Sequence, residues 1–180
     1  LPGGGEPTLH QDFESILALT AQYHYTYTLI TNGWTFEHIY PLLSKYRKNL
    51  FTVVISLDGA KEETHDKIRQ QPGSYQRVIQ TCMICYYKQL PFQLSMVNHR
   101  LNIAEIDEFL VLASKLGAEE VNLGSAQLTE QLVSHQLALS PEERKSLRAK
   151  LLTLEENSEI PVNPAFDFYI KNPCVACQPL

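Results

Sequence analysis

The chain alternates between two patterns of apolar residues from near its start to about residue 124. Apolar side chains recur every three or four positions in some segments, as Phe13, Ile16 and Leu17 do, and this spacing predicts helices. Nearly unbroken apolar runs separate these segments and are typical of strands in a parallel sheet, covered on both faces. The predicted helices span residues 8–23, 35–46, 74–89 and 103–116, and the predicted strands span residues 25–30, 50–57, 92–97 and 120–123. This alternation predicts an α/β fold with a parallel sheet and right-handed crossovers.

The remaining segments are predicted to be connections and one further helix. Residues 61–71 are predicted to form a charged loop. Ser140 is a suitable N-cap, with Pro141 at the first helical position and Glu143 three residues after the cap, so a helix is expected to about residue 155. Residues 157–172 are interpreted as a connector. We therefore expect a domain over residues 1–135 and a helical linker over residues 136–180.

Composition restricts the class of protein. The 180 residues are 44% hydrophobic, which is enough for one substantial core. The net charge of −5 argues against a nucleic-acid partner, which usually selects a basic surface. No apolar run approaches the roughly 20 residues that span a bilayer, so no membrane partner is expected. The low cysteine content favours a reducing, cytoplasmic location. The opening Leu1-Pro2 resembles the end of a strand, so we interpret the sequence as a fragment.

Candidate ligand-binding residues lie where predicted strands end. The turn Gly3-Gly4-Gly5-Glu6-Pro7 combines permissive backbone angles with a carboxylate at the start of a predicted helix, where amide N–H groups converge. Further polar or small residues follow successive strands, namely Thr31-Asn32-Gly33, Ser56 with Asp58-Gly59, Asn98 and Gly124. The carboxyl ends of parallel strands share one edge, where ligands of α/β proteins bind. Arg69 is the cation best placed to reach this edge. Its guanidinium could bind a ligand carboxylate through two hydrogen bonds, or it could form a surface ion pair with a nearby Glu or Asp.

The four cysteines form two Cys-x2-Cys pairs with different surroundings. Cys82 and Cys85 lie with Val78 on one face of a predicted helix, which indicates buried thiols that pack as small hydrophobic groups. Cys174 and Cys177 lie in a non-periodic segment beside Pro173. Convergence of all four thiolates would instead make a zinc site.

Several motifs together resemble the radical SAM enzymes, and more narrowly the subgroup with a SPASM or twitch extension. They are Gly3-Gly-Gly-Glu-Pro-Thr-Leu-His, Thr31-Asn-Gly, Ser56-Leu-Asp-Gly-Ala, His65-Asp-Lys-Ile-Arg and Pro72-Gly-Ser-Tyr-Gln-Arg-Val, spread in register over residues 1–124. The resemblance implies a partial (β/α)6 barrel built from parallel strands 2–6 of that fold, followed by a helix and a connector.

The resemblance also assigns expected roles to particular residues. By position, Gly4, Gly5 and Glu6 would hold the amino group of S-adenosylmethionine. Ser56 and Arg69 would meet its carboxylate or ribose, Asp58 would shape that loop, Asn98 would sit by the ribose and Leu123 near the adenine. In this subgroup, Cys174 and then Cys177 stand where an auxiliary [4Fe-4S] cluster is ligated.

The resemblance has one important departure. The Cys-x3-Cys-x2-Cys loop that holds the catalytic [4Fe-4S] cluster is absent from these 180 residues. The parent protein is therefore expected to cleave S-adenosylmethionine reductively and generate a 5′-deoxyadenosyl radical, whereas this chain supplies only part of the binding site. The subgroup implies a peptide or protein substrate and an electron donor such as flavodoxin or ferredoxin.

Two alternatives come from other classes of protein. One is a non-catalytic α/β module that binds a nucleotide-like ligand or a protein partner. The other is an interaction domain stabilised by zinc on all four cysteines.

Overall fold

The computed structural model describes residues 5–125 and 137–164. Its strands are β1 (Tyr27–Thr31), β2 (Leu50–Ser56), β3 (Phe92–Asn98), β4 (Val121–Ser125) and β5 (Val162–Asn163). Its α-helices are α1 (Phe13–Gln22), α2 (Phe36–Lys45), α3 (Glu62–Arg69), α4 (Ser74–Tyr87), α5 (Ile106–Leu116) and α6 (Pro141–Asn157), and short 3-10 turns lie at Pro7–Leu9, Arg47–Asn49 and Ile103–Glu105. The predicted α/β class is confirmed.

The five strands form one parallel sheet in the order β1-β2-β3-β4-β5. When sequential parallel strands are joined by crossovers of one hand, the connecting helices lie on one face of the sheet. The strand residues facing that side are almost all apolar and fully buried, as Ile55, Leu94 and Leu123 are at 0% exposure. This singly wound arrangement is that of a partial barrel.

The opposite face of the sheet, here called the open face, is the more exposed one among the described residues. Strand side chains alternate between faces, and the residues of alternate parity include Ile30, at 60% exposure, and Val97, at 44% exposure. The two faces therefore differ sharply, with the hydrophobic core entirely on the helical side.

The charged segment predicted as a loop is a helix. Residues 62–69 form α3, in which His65 is the one buried side chain. A helix with a single buried residue has no apolar periodicity to detect. Its sequence instead complements the helix dipole, because Glu62 and Glu63 lie in the first turn and Arg69 lies in the last.

Both ends of the described chain also differ from the prediction. The first helix begins at Phe13, since Pro7–Leu9 form a 3-10 turn whose N-cap is Glu6. The predicted connector contains β5, which pairs with β4 from the far edge. A two-residue strand flanked by prolines carries too short a pattern to recognise, and Pro161 contributes a carbonyl that accepts a hydrogen bond from the Val121 N–H.

The helix α4 buries both of its cysteines, as predicted. Cys82 and Cys85 have 0% exposure in the core beneath the sheet. Burial raises the pKa of the Cys82 thiol to about 12 and also raises the pKa of the Cys85 thiol. These thiols therefore stay protonated and unsuited to binding metal. Within the described ranges, no helix is long and apolar enough to cross a bilayer.

Candidate functional site

Glu6 connects the glycine turn to the end of β1. Its Oε1 accepts hydrogen bonds from the Thr8 N–H at 3.3 Å, the Thr8 hydroxyl at 2.7 Å and the Thr31 hydroxyl at 2.9 Å. Among the described residues, its Oε2 accepts one hydrogen bond, from the Asn32 N–H at 2.7 Å. A carboxylate offers about four acceptor positions, and the single bond to Oε2 leaves that oxygen able to accept another donor.

The backbone before Glu6 depends on glycine. Gly5 has φ of 80°, in the left-handed region that other residues rarely adopt, and a Cβ at this position would meet nothing within 4 Å. The requirement is therefore conformational. The space beside the bare backbone is open to a ligand.

Asp58 joins the ends of β2 and β3. Its Oδ2 pairs with the Arg69 guanidinium at 2.7 Å, and its Oδ1 accepts the Val97 N–H at 3.1 Å. The Asp58 side chain is 7% exposed and the Arg69 side chain is 34% exposed. A charge this buried needs a partner, so the Arg69 guanidinium is held within the protein while part of it still faces solvent.

Two buried polar residues fix the loops on either side of Asp58. Asn102 donates its amide hydrogens to the carbonyls of Asp58 at 3.0 Å and Val97 at 2.9 Å, and its Oδ1 accepts the His99 N–H at 2.9 Å. Glu105 accepts the N–H groups of Ala60 at 2.8 Å and Lys61 at 3.3 Å, and the Thr64 hydroxyl at 2.5 Å. The loops after β2 and β3 therefore form one cross-linked unit.

His65 and His99 are buried in the same region as uncharged rings. His65 Nδ1 accepts the Asp58 N–H at 3.0 Å, and His99 Nδ1 accepts the Leu101 N–H at 3.2 Å. Each bond requires an unprotonated Nδ1. Burial, opposed by the Asp58 charge, lowers the pKa of both imidazoles.

Asn98 is the last residue of β3, and its side-chain oxygen accepts no hydrogen bond from the described residues. Its Nδ2 donates to the Gly124 carbonyl at 2.7 Å, but its buried Oδ1 has no hydrogen-bond partner within the described residues. An unpaired buried acceptor costs about 1–3 kcal/mol, and such an atom at a ligand edge suits a ligand that donates a hydroxyl. Asn98 is 0% exposed.

The other predicted contacts differ in accessibility. Ser56 is half-buried on the open face, and its hydroxyl makes no hydrogen bond to the described residues. Leu123 has 0% exposure and packs in the core. Its expected place near the adenine stays a prediction.

Part of the predicted site lies outside the described residues. Gly4, Cys174 and Cys177 belong to this group, so their expected roles stay predictions. Within the described residues, no group of three or more His, Cys, Asp or Glu side chains is arranged to hold a metal ion.

The sequence reasoning missed the residues that support the site. Asn102 and Glu105 follow β3 closely, at the start of the next helical segment, and their side chains reach back to the neighbouring loop. Asn and Glu at a helix start are ordinary capping signals, so nothing in the sequence distinguished them. Thr35, whose hydroxyl lies 2.7 Å from the Thr8 hydroxyl, carries no signal either.

Comparison with known proteins gives a match over most of the described region. The profile of the Radical SAM superfamily matches residues 3–113. The mycofactocin maturase MftC of Mycobacterium tuberculosis is 35% identical over 121 residues, which cover 64% of this chain and 29% of MftC. The AdoMet-dependent heme synthase of Methanosarcina barkeri is 30% identical over 116 residues, which cover 64% of this chain and 33% of that enzyme.

A third relative matches nearly the whole chain. The PqqA peptide cyclase of Rhizobium meliloti is 27% identical over 177 residues, which cover 94% of this chain and 46% of the cyclase. The chain thus spans between about a third and a half of the length of these relatives. The crystal structure of Streptococcus suis SuiB bound to S-adenosylmethionine superimposes with a TM-score of 0.68 at 17% identity, over 94% of this chain and 40% of SuiB. At that identity the likeness shows the fold alone.

Proposed function

The chain belongs to the Radical SAM superfamily, and on that premise we propose that it forms the S-adenosylmethionine-binding part of an enzyme that modifies a peptide or protein. Bound at a reduced [4Fe-4S] cluster whose ligands lie outside this chain, S-adenosylmethionine would supply a 5′-deoxyadenosyl radical for hydrogen abstraction. The names of two relatives, a peptide cyclase and a maturase, support the choice of substrate. The heme synthase, by its name, acts on a different class of molecule.

The observation that carries the proposal is the unpaired Oδ1 of Asn98. It is a buried acceptor at the carboxyl-terminal edge, without a partner in the described residues. A ribose hydroxyl donates the hydrogen bond that this atom lacks. The same edge carries Glu6, whose Oε2 has room for a second donor such as the ligand ammonium group.

The remaining contacts would position the ligand rather than react with it. The exposed part of Arg69 can pair with the ligand carboxylate while the guanidinium stays anchored to Asp58. Ser56 offers a hydroxyl from the neighbouring strand end. The acidic, amide-bearing and cationic groups thus match the ammonium, hydroxyl and carboxylate groups of S-adenosylmethionine.

The two cysteine pairs have different proposed roles. We propose that Cys174, with Cys177 as a second candidate, ligates an auxiliary [4Fe-4S] cluster. The buried and protonated Cys82 and Cys85 take no part in it. A flavodoxin or ferredoxin is the proposed electron donor, and the cytoplasm is the proposed location.

The test is equilibrium dialysis of S-adenosylmethionine against the complete protein that contains this chain. Losing a hydrogen bond to a charged group costs roughly 1.5–3 kcal/mol, so Glu6→Gln is expected to weaken binding about 10- to 150-fold. Glu37→Gln removes a carboxylate that pairs with Arg77 on the helical side, and it should bind like the wild type. Asn98→Ala should also weaken binding. Wild-type affinity in both Glu6→Gln and Asn98→Ala would contradict the proposal.

A further inference from the structure

The helix α3 is held in place mainly by polar contacts. His65 is its one buried side chain, whereas a helix of a globular domain usually packs through a stripe of apolar residues. Its N-cap residue, Lys61, makes no side-chain capping bond, so the donors at the helix start need a partner from elsewhere in the chain. The position of α3, and of Arg69 in its last turn, therefore depends on a few hydrogen bonds.

Glu105 is the partner at the start of α3. It is 9% exposed, and its Oε2 accepts the N–H groups of Ala60 at 2.8 Å and Lys61 at 3.3 Å, while its Oε1 accepts the Thr64 hydroxyl. Glu105 forms no ion pair with a described residue, because the Lys61 Nζ pairs with Glu108 instead, at 3.0 Å. A buried carboxylate usually has a cationic partner. Here the three donors and the positive end of the α3 dipole compensate its charge.

The middle and the end of α3 have other partners. His65 Nδ1 accepts the Asp58 N–H at 3.0 Å, and the Arg69 guanidinium pairs with the Asp58 Oδ2 at 2.7 Å. Asp66 accepts three hydrogen bonds from the segment that begins α4. Thr64 and Arg69 are five residues apart, which is about 7.5 Å along a helix axis. Loss of the Glu105 contacts would free the start of α3 and let the helix tilt about the Asp58 contacts, which moves Arg69.

We infer that Glu105 is a positioning residue for ligand binding, because it anchors the start of α3 and thereby orients the Arg69 guanidinium towards the ligand carboxylate. This inference rests on the proposed function, which pairs Arg69 with that carboxylate, and deepens it. The Arg69 side chain is 34% exposed, so it can reach a ligand. Recognition of a carboxylate by a guanidinium through two parallel hydrogen bonds requires a particular orientation, and a small tilt of α3 is enough to impair it.

The experiment compares two ligands by equilibrium dialysis against the complete protein that contains this chain. One is S-adenosylmethionine, and the other is decarboxylated S-adenosylmethionine, which keeps the adenosine, sulfonium and ammonium groups and lacks the carboxylate. The ratio of their affinities is here called the carboxylate preference. In the wild type it should be about tenfold or more in favour of S-adenosylmethionine, as expected for hydrogen bonds between charged groups.

Glu105→Ala should lower the affinity for S-adenosylmethionine about threefold to tenfold and change the affinity for the decarboxylated ligand by less than about twofold. A residue that merely stabilised the fold would affect both ligands alike. Arg69→Ala should abolish the carboxylate preference, and adding Glu105→Ala to it should cause no further selective loss, because the two residues act through the same contact.

Two variants separate the anchoring role from the loss of charge. Glu105→Gln can still accept both N–H groups through its amide oxygen and donate to the Thr64 hydroxyl, so it should keep the carboxylate preference within about twofold of the wild type. Glu108→Ala is the matched control, because Glu108 pairs with the Lys61 side chain at an exposed position, and it should behave like the wild type. If Glu105→Ala does not fold, Thr64→Val decides by the same comparison, with an expected selective loss of about twofold to fivefold.

The inference is overturned if the variant tested, Glu105→Ala or Thr64→Val, leaves the carboxylate preference unchanged or weakens both ligands equally. Equal affinity of the wild type for the two ligands would also overturn it, while the proposed binding of S-adenosylmethionine would stand. A wild type that binds neither ligand would refute the proposed function, and the inference with it. Weaker binding of S-adenosylmethionine in Glu6→Gln, without a selective loss in the α3 variants, would refute the role of Glu105 alone.

Discussion

Replacing Asn102 with Ala should destabilise the protein more than any exposed amide substitution. Asn102 is 0% exposed, and its side chain makes three hydrogen bonds, to the Asp58 and Val97 carbonyls and from the His99 N–H. These bonds join the loop after β2 to the loop after β3. Alanine leaves all three backbone groups without this partner in a buried environment, because no side chain remains to reach them.

The size of the effect follows from the number of bonds lost. A hydrogen bond contributes about 1 kcal/mol net to stability, so three of them suggest a loss of about 3 kcal/mol. That is a large fraction of the roughly 5–15 kcal/mol that stabilises a typical protein. For a chain of this size each kcal/mol lowers Tm by roughly 2–4 °C, so Tm should fall by about 6–12 °C.

The assay is urea unfolding, with thermal melting as a second measurement on the same samples. Asn157→Ala is the matched control, because Asn157 is exposed and makes one hydrogen bond, to the Thr153 carbonyl. Its free energy of unfolding should change by no more than about 0.5 kcal/mol. A loss below about 1 kcal/mol in Asn102→Ala, or an equal loss in both variants, would refute the view that Asn102 holds the two loops together.

Three further predictions follow from buried groups. Burial lowers the pKa of His65 and His99 below the unfolded value near 6.5. The folded state therefore binds fewer protons than the unfolded state, and the free energy of unfolding should fall as the pH drops below about 6.5. A free energy of unfolding that stays constant well below that pH would contradict this prediction. In a background with Cys174→Ser and Cys177→Ser, a thiol reagent at pH 8 should label Cys82 only after denaturant is added, and rapid native labelling would contradict its burial. Gly59→Ala should cost about 1–3 kcal/mol in urea unfolding, because its Cβ would lie 2.9 Å from the Thr64 Cβ; an unchanged midpoint would contradict it.

The sequence predicted those parts of the fold that have a strong apolar pattern. The apolar run of β2 and the periodic face of α5 both appear where expected, because each buries several side chains in the core. The helix α3 has only His65 buried, and β5 has only two residues. Their stability comes from capping, ion pairs and pairing with neighbours, which leave no periodic signal in the sequence.

The sequence predicted where individual residues of the candidate site lie, but not the contacts between its loops. Glu6 lies in the glycine-rich turn and Asn98 directly follows a predicted strand, so their location at the carboxyl-terminal edge followed from strand order. The Asp58–Arg69 ion pair was foreseen only as one alternative among surface pairs. Its partners depend on how two loops approach each other in space, and that approach is fixed by Asn102, a residue with no motif of its own.

The most direct test of the central claim is whether the complete protein, reconstituted anaerobically with iron and sulfide and reduced, converts S-adenosylmethionine to 5′-deoxyadenosine. The wild type should form that product. Formation should be strongly reduced in Glu6→Gln and Asn98→Ala at subsaturating S-adenosylmethionine, because we propose that these residues hold the ligand. A reconstituted protein that binds iron but forms no 5′-deoxyadenosine would contradict the account. Undiminished formation in both variants would contradict the assigned binding edge.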